Sequence, residues 1–121
     1  MRNVTIIKRK AKSLKKERDD GYIEYKWKLV NIERNRLIRL ITQMNYRLNE
    51  GEGKSMYAIG FADDGCSLGI THFEMKLTLR NIVSAAKELE AEINRVLIFT
   101  ENQNYWAKIF LRKEHTYGSI F

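Results

Sequence analysis

The chain has 121 residues, with 22 Lys and Arg against 15 Asp and Glu for a net charge of +7, one Cys and no Pro. That length suits a single domain, and 44% apolar residues with 11% aromatics supply a core for it. A lone Cys leaves no disulfide framework, and no apolar run approaches the roughly 20 residues that span a bilayer. Val4–Ile7, interrupted by Thr5, is also too short for a signal-peptide core. Secreted and membrane-spanning classes are set aside on these grounds, and a cytoplasmic protein is expected.

The charge is uneven. Residues 1–18 hold Arg2, Lys8, Arg9, Lys10, Lys12, Lys15, Lys16 and Arg18 against Glu17 alone, whereas basic and acidic residues balance from Asp19 onward. The pattern is a neutral domain preceded by a basic arm, with residues 1–20 as arm, 21–113 as domain and 114–121 as a short tail. Such an arm suits a phosphate backbone, to which it gives affinity and on-rate without sequence specificity. A solvated or targeting tail and an arm for an acidic membrane or protein surface are the competing readings. A mitochondrial presequence fits poorly, because the segment is Lys-rich with Ser13 as its one serine.

Asp19-Asp20-Gly21 is turn chemistry and separates arm from domain. Over Tyr22–Val30, the residues Ile23, Tyr25, Trp27 and Leu29 alternate with Glu24, Lys26, Lys28 and Val30, the period of a half-buried strand. Asn31 can cap a helix running from about residue 32 to 49 on a seam of Leu37, Ile41, Met44 and Leu48, closed by Gly51-Glu52-Gly53. Residues 55–62 read as a strand, Asp63-Asp64-Gly65 as a hairpin turn, and residues 66–70 as the returning strand. Thr71-His72-Phe73-Glu74 is a capping box that opens a second helix, expected to run to about residue 94 through Met75, Leu79, Ile82, Ala86, Leu89 and Ile93. Residues 95–100 and 105–112 read as two strands joined by a turn. The order implies an α+β fold, a ferredoxin-like split βαβ sandwich with one extra strand and two helices on one face of a mainly antiparallel sheet.

No catalytic constellation emerges. Gly51-Glu52-Gly53-Lys54-Ser55 ends like a phosphate-binding loop, but Leu48 stands where the motif needs Gly, and the segment follows a helix instead of opening one. Helix C-cap chemistry accounts for it better. Cys66, His72 and His115 match no zinc spacing, and Cys66 reads as a small apolar strand residue. Asp19/Asp20 and Asp63/Asp64 sit beside Gly in turns, where backbone-bonding carboxylates are ordinary. The expectation is a non-enzyme with no cofactor, no metal and no small-molecule substrate.

The candidate RNA-binding residues are Lys8, Arg9, Lys10, Lys12, Lys15, Lys16 and Arg18 of the arm, with Arg36, Arg39 and Arg47 on the first helix. The last three share a stripe with Gln43 at spacings of three and four, and arginines so placed can hold phosphates bidentately. An ordinary solvated face paired with Glu33 and Glu50 is the alternative. Tyr105, Trp106, Tyr117 and Phe121 are candidates for stacking on unpaired bases, with Trp106 also suited to packing.

The strings EYKWKLV, ITQMNYRLNEGEGKSMYAIGFADDG and MKLTLRNIVSAAKELEAEINRVLIF closely resemble the N-terminal domain of the eukaryotic GTP-binding protein one family, translational GTPases similar to elongation factors. The resemblance covers roughly residues 22–112. The 121 residues contain no Walker motif or switch region, so GTP hydrolysis is not implied for them. With its Lys-rich arm, the domain also looks like the small dormancy factors of microsporidian ribosomes, which occupy the tRNA exit (E) site. The resemblance therefore implies a ribosome-associated factor contacting rRNA and ribosomal proteins, and nothing in the sequence demands more than a monomer. The alternative is a regulatory module that binds a translational GTPase or RNA-decay machinery.

Overall fold

The computed structural model describes residues 4–8 and 21–114. Among them are two helices and a five-stranded sheet: β1 (Val4–Lys8), β2 (Ile23–Lys26), α1 (Arg34–Glu50), β3 (Lys54–Ile59), α2 (His72–Glu88), β4 (Glu92–Glu101) and β5 (Asn104–Arg112). The sheet order is β1-β4-β5-β3-β2. β5 runs antiparallel to both of its neighbours, while the outer pairs, β1 with β4 and β2 with β3, are parallel. This is an α+β sandwich, consistent with a ferredoxin-like arrangement, on a mixed sheet.

Strand alternation divides the core into two layers. Tyr57 and Ile59 of β3, Val96 and Ile98 of β4, and Ala107, Ile109 and Leu111 of β5 point to the helices. There they meet Leu40, Met44 and Leu48 of α1 and Met75, Ile82, Ala85 and Ala86 of α2. Ile23, Tyr25, Met56, Ala58, Phe99 and Trp106 face the other way and pack with Phe61. Burial, with the Glu24 carboxylate adding to it, holds the Tyr57 phenol well above its ordinary pKa. Its hydroxyl donates to Gln43 Oε1 at 3.2 Å.

Four elements differ from expectation. β2 stops at Lys26, after which the chain turns to run beside α2: the Leu29 N–H donates to Thr78 Oγ1 at 3.1 Å, and Asn81 Nδ2 donates to the Leu29 carbonyl at 2.6 Å. The expected strand at residues 66–70 is a loop held by isolated bridges, Phe61 to Ser67 and Ile70 to Tyr105. Cys66 is consequently exposed in that loop, with its N–H donating to Asp64 Oδ1 at 2.9 Å. α2 ends six residues early. Glu90 takes φ 55°, and Ala91 and Glu90 donate to the carbonyls of Ala86 and Lys87, the Schellman pattern without its usual Gly.

The fourth difference concerns the arm. Val4–Lys8, placed in the arm by charge, forms an edge strand with Val4 opposite Val96 and Lys8 opposite Thr100.

Candidate nucleic-acid interface

β1, β2, β3 and β4 all run in one direction, so their carboxyl ends share one end of the sheet. α1 follows β2 and α2 follows β3, which brings both helix N-termini to that same end. Clefts outside the carboxyl ends of parallel strands are favoured places for ligands, and helix N-termini make them electropositive.

A cleft of about 290 Å³ opens there, lined by Lys26, Leu29, Arg36, Arg39, Leu40 and Gln43. Arg36 also borders an adjoining, shallower depression of about 580 Å³ with Asn31 and Glu33. Among the described residues, the side chains of Lys26 and Arg39 have no hydrogen bond or ion pair, and the Arg36 side chain donates only to the neutral carbonyl of Asn31 at 3.1 Å. The contrast with neighbouring cations is informative. Lys28 Nζ lies 2.7 Å from Glu74 Oε2, and Arg47 Nη2 lies 3.5 Å from Glu24 Oε2. Cations with structural work are paired with carboxylates; the three lining the cleft are not.

α1 adds to this field. Its N-cap, Glu33, makes no side-chain capping bond, and its first turn holds no acid, carrying Arg34 and Arg36 instead. Cations there oppose the helix dipole at a cost of about 0.3–1 kcal/mol each. α2, by contrast, is fully capped: Thr71 Oγ1 accepts from the Glu74 N–H at 3.1 Å and Glu74 Oε1 accepts from the Thr71 N–H at 3.0 Å. Two arginine forks and an ammonium facing one cleft can bind phosphate oxygens bidentately from one side and as a point charge from the other.

The residues singled out in the sequence divide accordingly. Arg36 and Arg39 line the cleft, joined by Lys26, which alternation alone leaves as an ordinary outward strand residue. Arg47 stands apart from them, turned to the start of β2, where its Nη1 donates to the Gly21 carbonyl at 2.8 Å. Lys8 ends β1 at the same end of the sheet as the cleft, four strands and roughly 19 Å away across the sheet. Arg9, Lys10, Lys12, Lys15, Lys16 and Arg18 lie outside the described residues, as do Tyr117 and Phe121.

The stacking candidates also change. Trp106 is buried, at 3% exposure, and Tyr105 is half-buried with its ring 5.5 Å from that of His72. The exposed aromatics at the cleft end are Trp27 and Phe73. The phosphate-loop-like GEGKS segment closes α1 and opens β3, and Ser55 Oγ is occupied by donating to the Tyr22 carbonyl at 3.1 Å. A further cavity, about 390 Å³ beside Tyr22, Lys54 and Phe110, lies at the opposite end of the sheet and has one cation. Among the described residues, no group of three or more His, Cys, Asp or Glu is placed to hold a metal ion, and no helix is long and apolar enough to cross a membrane.

Over 77 residues, 64% of its length, the chain is 43% identical to GTP-binding protein 2 of Mus musculus and equally to that of Homo sapiens. Over 84 residues it is 26% identical to GTP-binding protein 1 of Xenopus laevis. The matched stretch is 13% of GTP-binding protein 2 and 12% of GTP-binding protein 1, so the chain spans a small part of these relatives. No family model matches it, and no solved structure does. The chain thus contains a domain similar to part of the GTP-binding proteins 1 and 2.

Proposed function

We propose that this chain is a non-enzymatic, monomeric ribosome-binding factor of the cytoplasm that sits in a tRNA site, the E site, of idle ribosomes and keeps them dormant. The observation that carries this reading is the cleft in which Lys26 of β2 faces Arg36 and Arg39 of α1 without a carboxylate partner among the described residues. Unpaired cations at a concave edge suit a polyanion, and the Lys-rich segment 8–18 leaves β1 from that same end. The resemblance of its sequence strings to a family of translational GTPases favours a setting in translation, and the similarity to GTP-binding proteins 1 and 2 is in line with that resemblance. The domain supplies shape to rRNA and ribosomal proteins, and the basic segment supplies phosphate contacts.

The test is co-sedimentation with vacant ribosomes across a salt series, with and without deacylated tRNA. Binding should fall with salt at a log–log slope on the order of −3.5 to −4.5 if about five phosphates are neutralised. Excess deacylated tRNA should displace the protein. Replacing Lys10, Lys12, Lys15 and Lys16 by Gln should reduce the slope while leaving β1 in place, which a deletion of residues 1–18 would not. A protein that stays in the supernatant at low salt overturns the reading.

One observation favours the second reading, a regulatory module for a translational GTPase or RNA-decay machinery. Ile38 and Tyr46, two turns apart on α1, are 51% and 56% exposed, an apolar face of the kind that protein partners cover. Under that reading, Ile38→Glu abolishes capture of the partner while charge reversal in the cleft does not.

A further inference from the structure

Trp27 is anchored and yet exposed. Its Nε1 donates to the Gly69 carbonyl at 3.1 Å, and the Lys28 ammonium lies 4.1 Å from its ring centre, while 45% of the residue remains accessible. Phe73, in the first turn of α2, is 68% exposed. The two are linked through shared neighbours. Lys28 contacts both the Trp27 ring and Glu74, the residue after Phe73, and exposed Leu68 precedes the Gly69 that holds the indole. Exposed Trp27, Phe73 and Leu68 are thus grouped through Lys28, Glu74 and Gly69, and the chain passes directly from Lys26, which lines the cleft at the end of β2, to Trp27.

We infer that Trp27, flanked by Phe73, is a stacking platform for an unpaired RNA nucleotide whose phosphate is held by Lys26, Arg36 and Arg39. The inference rests on the RNA-binding reading above and names the form of RNA that the edge selects. Three features favour an unpaired nucleotide. With the Lys28 ammonium over one face of the Trp27 ring, the opposite face is the one offered to a base, and the adjoining charge is cationic. Glu74, the carboxylate beside the patch, is already neutralised by Lys28. The indole is fixed at its edge before any ligand arrives, so stacking costs little side-chain freedom. A paired helix offers no free base face, so the platform discriminates against duplex RNA.

The test measures binding of the intact chain to fluorescein-labelled single-stranded oligoadenylate and to a duplex RNA of the same length at fixed salt. Trp27→Ala and Phe73→Ala are compared with wild type, and Trp27→Phe serves as the conservative variant. Circular dichroism and thermal melts check the fold; Phe73, exposed and outside the core, provides a readout independent of the Trp27 anchor. Trp27→Ala should weaken single-strand binding roughly tenfold or more, Phe73→Ala by a smaller factor, and Trp27→Phe should recover much of the loss. Duplex binding should be weaker in the wild type and insensitive to all three. Equal affinity of wild type and Trp27→Ala for the single strand overturns the platform, as does equal affinity for both RNAs. If both alanine variants bind RNA normally but lose an acidic or protein partner, the patch is a protein surface and the inference fails. Normal co-sedimentation of Trp27→Ala with ribosomes, together with unchanged oligonucleotide binding, rejects the platform while leaving the ribosome reading standing. Failure of the wild type with both ribosomes and RNA rejects both.

Discussion

Arg47 reaches from the last turn of α1 to the start of β2, where its Nη2 lies 3.5 Å from Glu24 Oε2 and its Nη1 donates to the Gly21 carbonyl at 2.8 Å. A side chain whose sequence position places it with Arg36 and Arg39 is therefore spent on joining two elements. Arg47→Met leaves the Gly21 carbonyl and the Glu24 carboxylate without their partner, and it should lower unfolding free energy by about 1–3 kcal/mol in a urea titration. Arg39→Met should do the opposite. It removes an exposed cation that has no side-chain partner among the described residues, so stability should stay within about 0.5 kcal/mol while RNA binding weakens.

The two helix ends give a second expectation. Glu52 and Glu90 occupy the left-handed position after α1 and α2, with φ 53° and 55°. That conformation costs a residue with a Cβ about 1 kcal/mol relative to Gly. Glu90→Gly should raise stability by about that amount, read as an increase in denaturation midpoint without a change in slope.

These helix ends also mark what the sequence conceals. The core was legible wherever period and burial agreed: Met44 and Leu48 on α1, Met75 and Ile82 on α2, and Ala107, Ile109 and Leu111 on β5 all face the helix–sheet interior. The capping box at Thr71 and Glu74 was equally legible, because its signature is local. The end of α2 was not, since Glu90 does the work of Gly and carries no compositional mark. β1 was hidden because its partner lies about 90 residues away and its charge resembles that of a tail. Arg36 and Arg39 were visible as a stripe. Lys26 joins them only through the α1–β2 crossing, and Trp27 becomes an outward residue only because β2 ends one position earlier.

Acid should weaken the start of α2 in a defined way. The hydrogen bond from Lys28 holds the Glu74 carboxyl below its ordinary value of 4.5, and the Thr71 N–H acts in the same direction. A lowered folded value means that the stabilisation is complete above the unfolded value and is lost as pH falls through the folded one. Stability should therefore fall more steeply in the wild type than in Glu74→Gln between about pH 5 and 3, and the two curves should run parallel above that range.

Gly60 tests the packing behind the platform. A Cβ there would lie 2.5 Å from Trp106 Cδ1, at a φ of 103° that residues with side chains rarely adopt. Gly60→Ala combines backbone strain with a clash against a buried indole, so a loss of about 2–4 kcal/mol is expected, accompanied by a shift in Trp106 fluorescence.

The cleft itself is tested most directly by sedimenting Lys26→Glu/Arg36→Glu/Arg39→Glu with vacant ribosomes beside the wild type across a salt series. The wild type should pellet at low salt and release steeply as salt rises. The triple variant, with an unchanged thermal melt, should remain in the supernatant at concentrations where the wild type still pellets. A folded triple variant that pellets with the same salt dependence as the wild type would contradict the assignment of this cleft to ribosomal RNA.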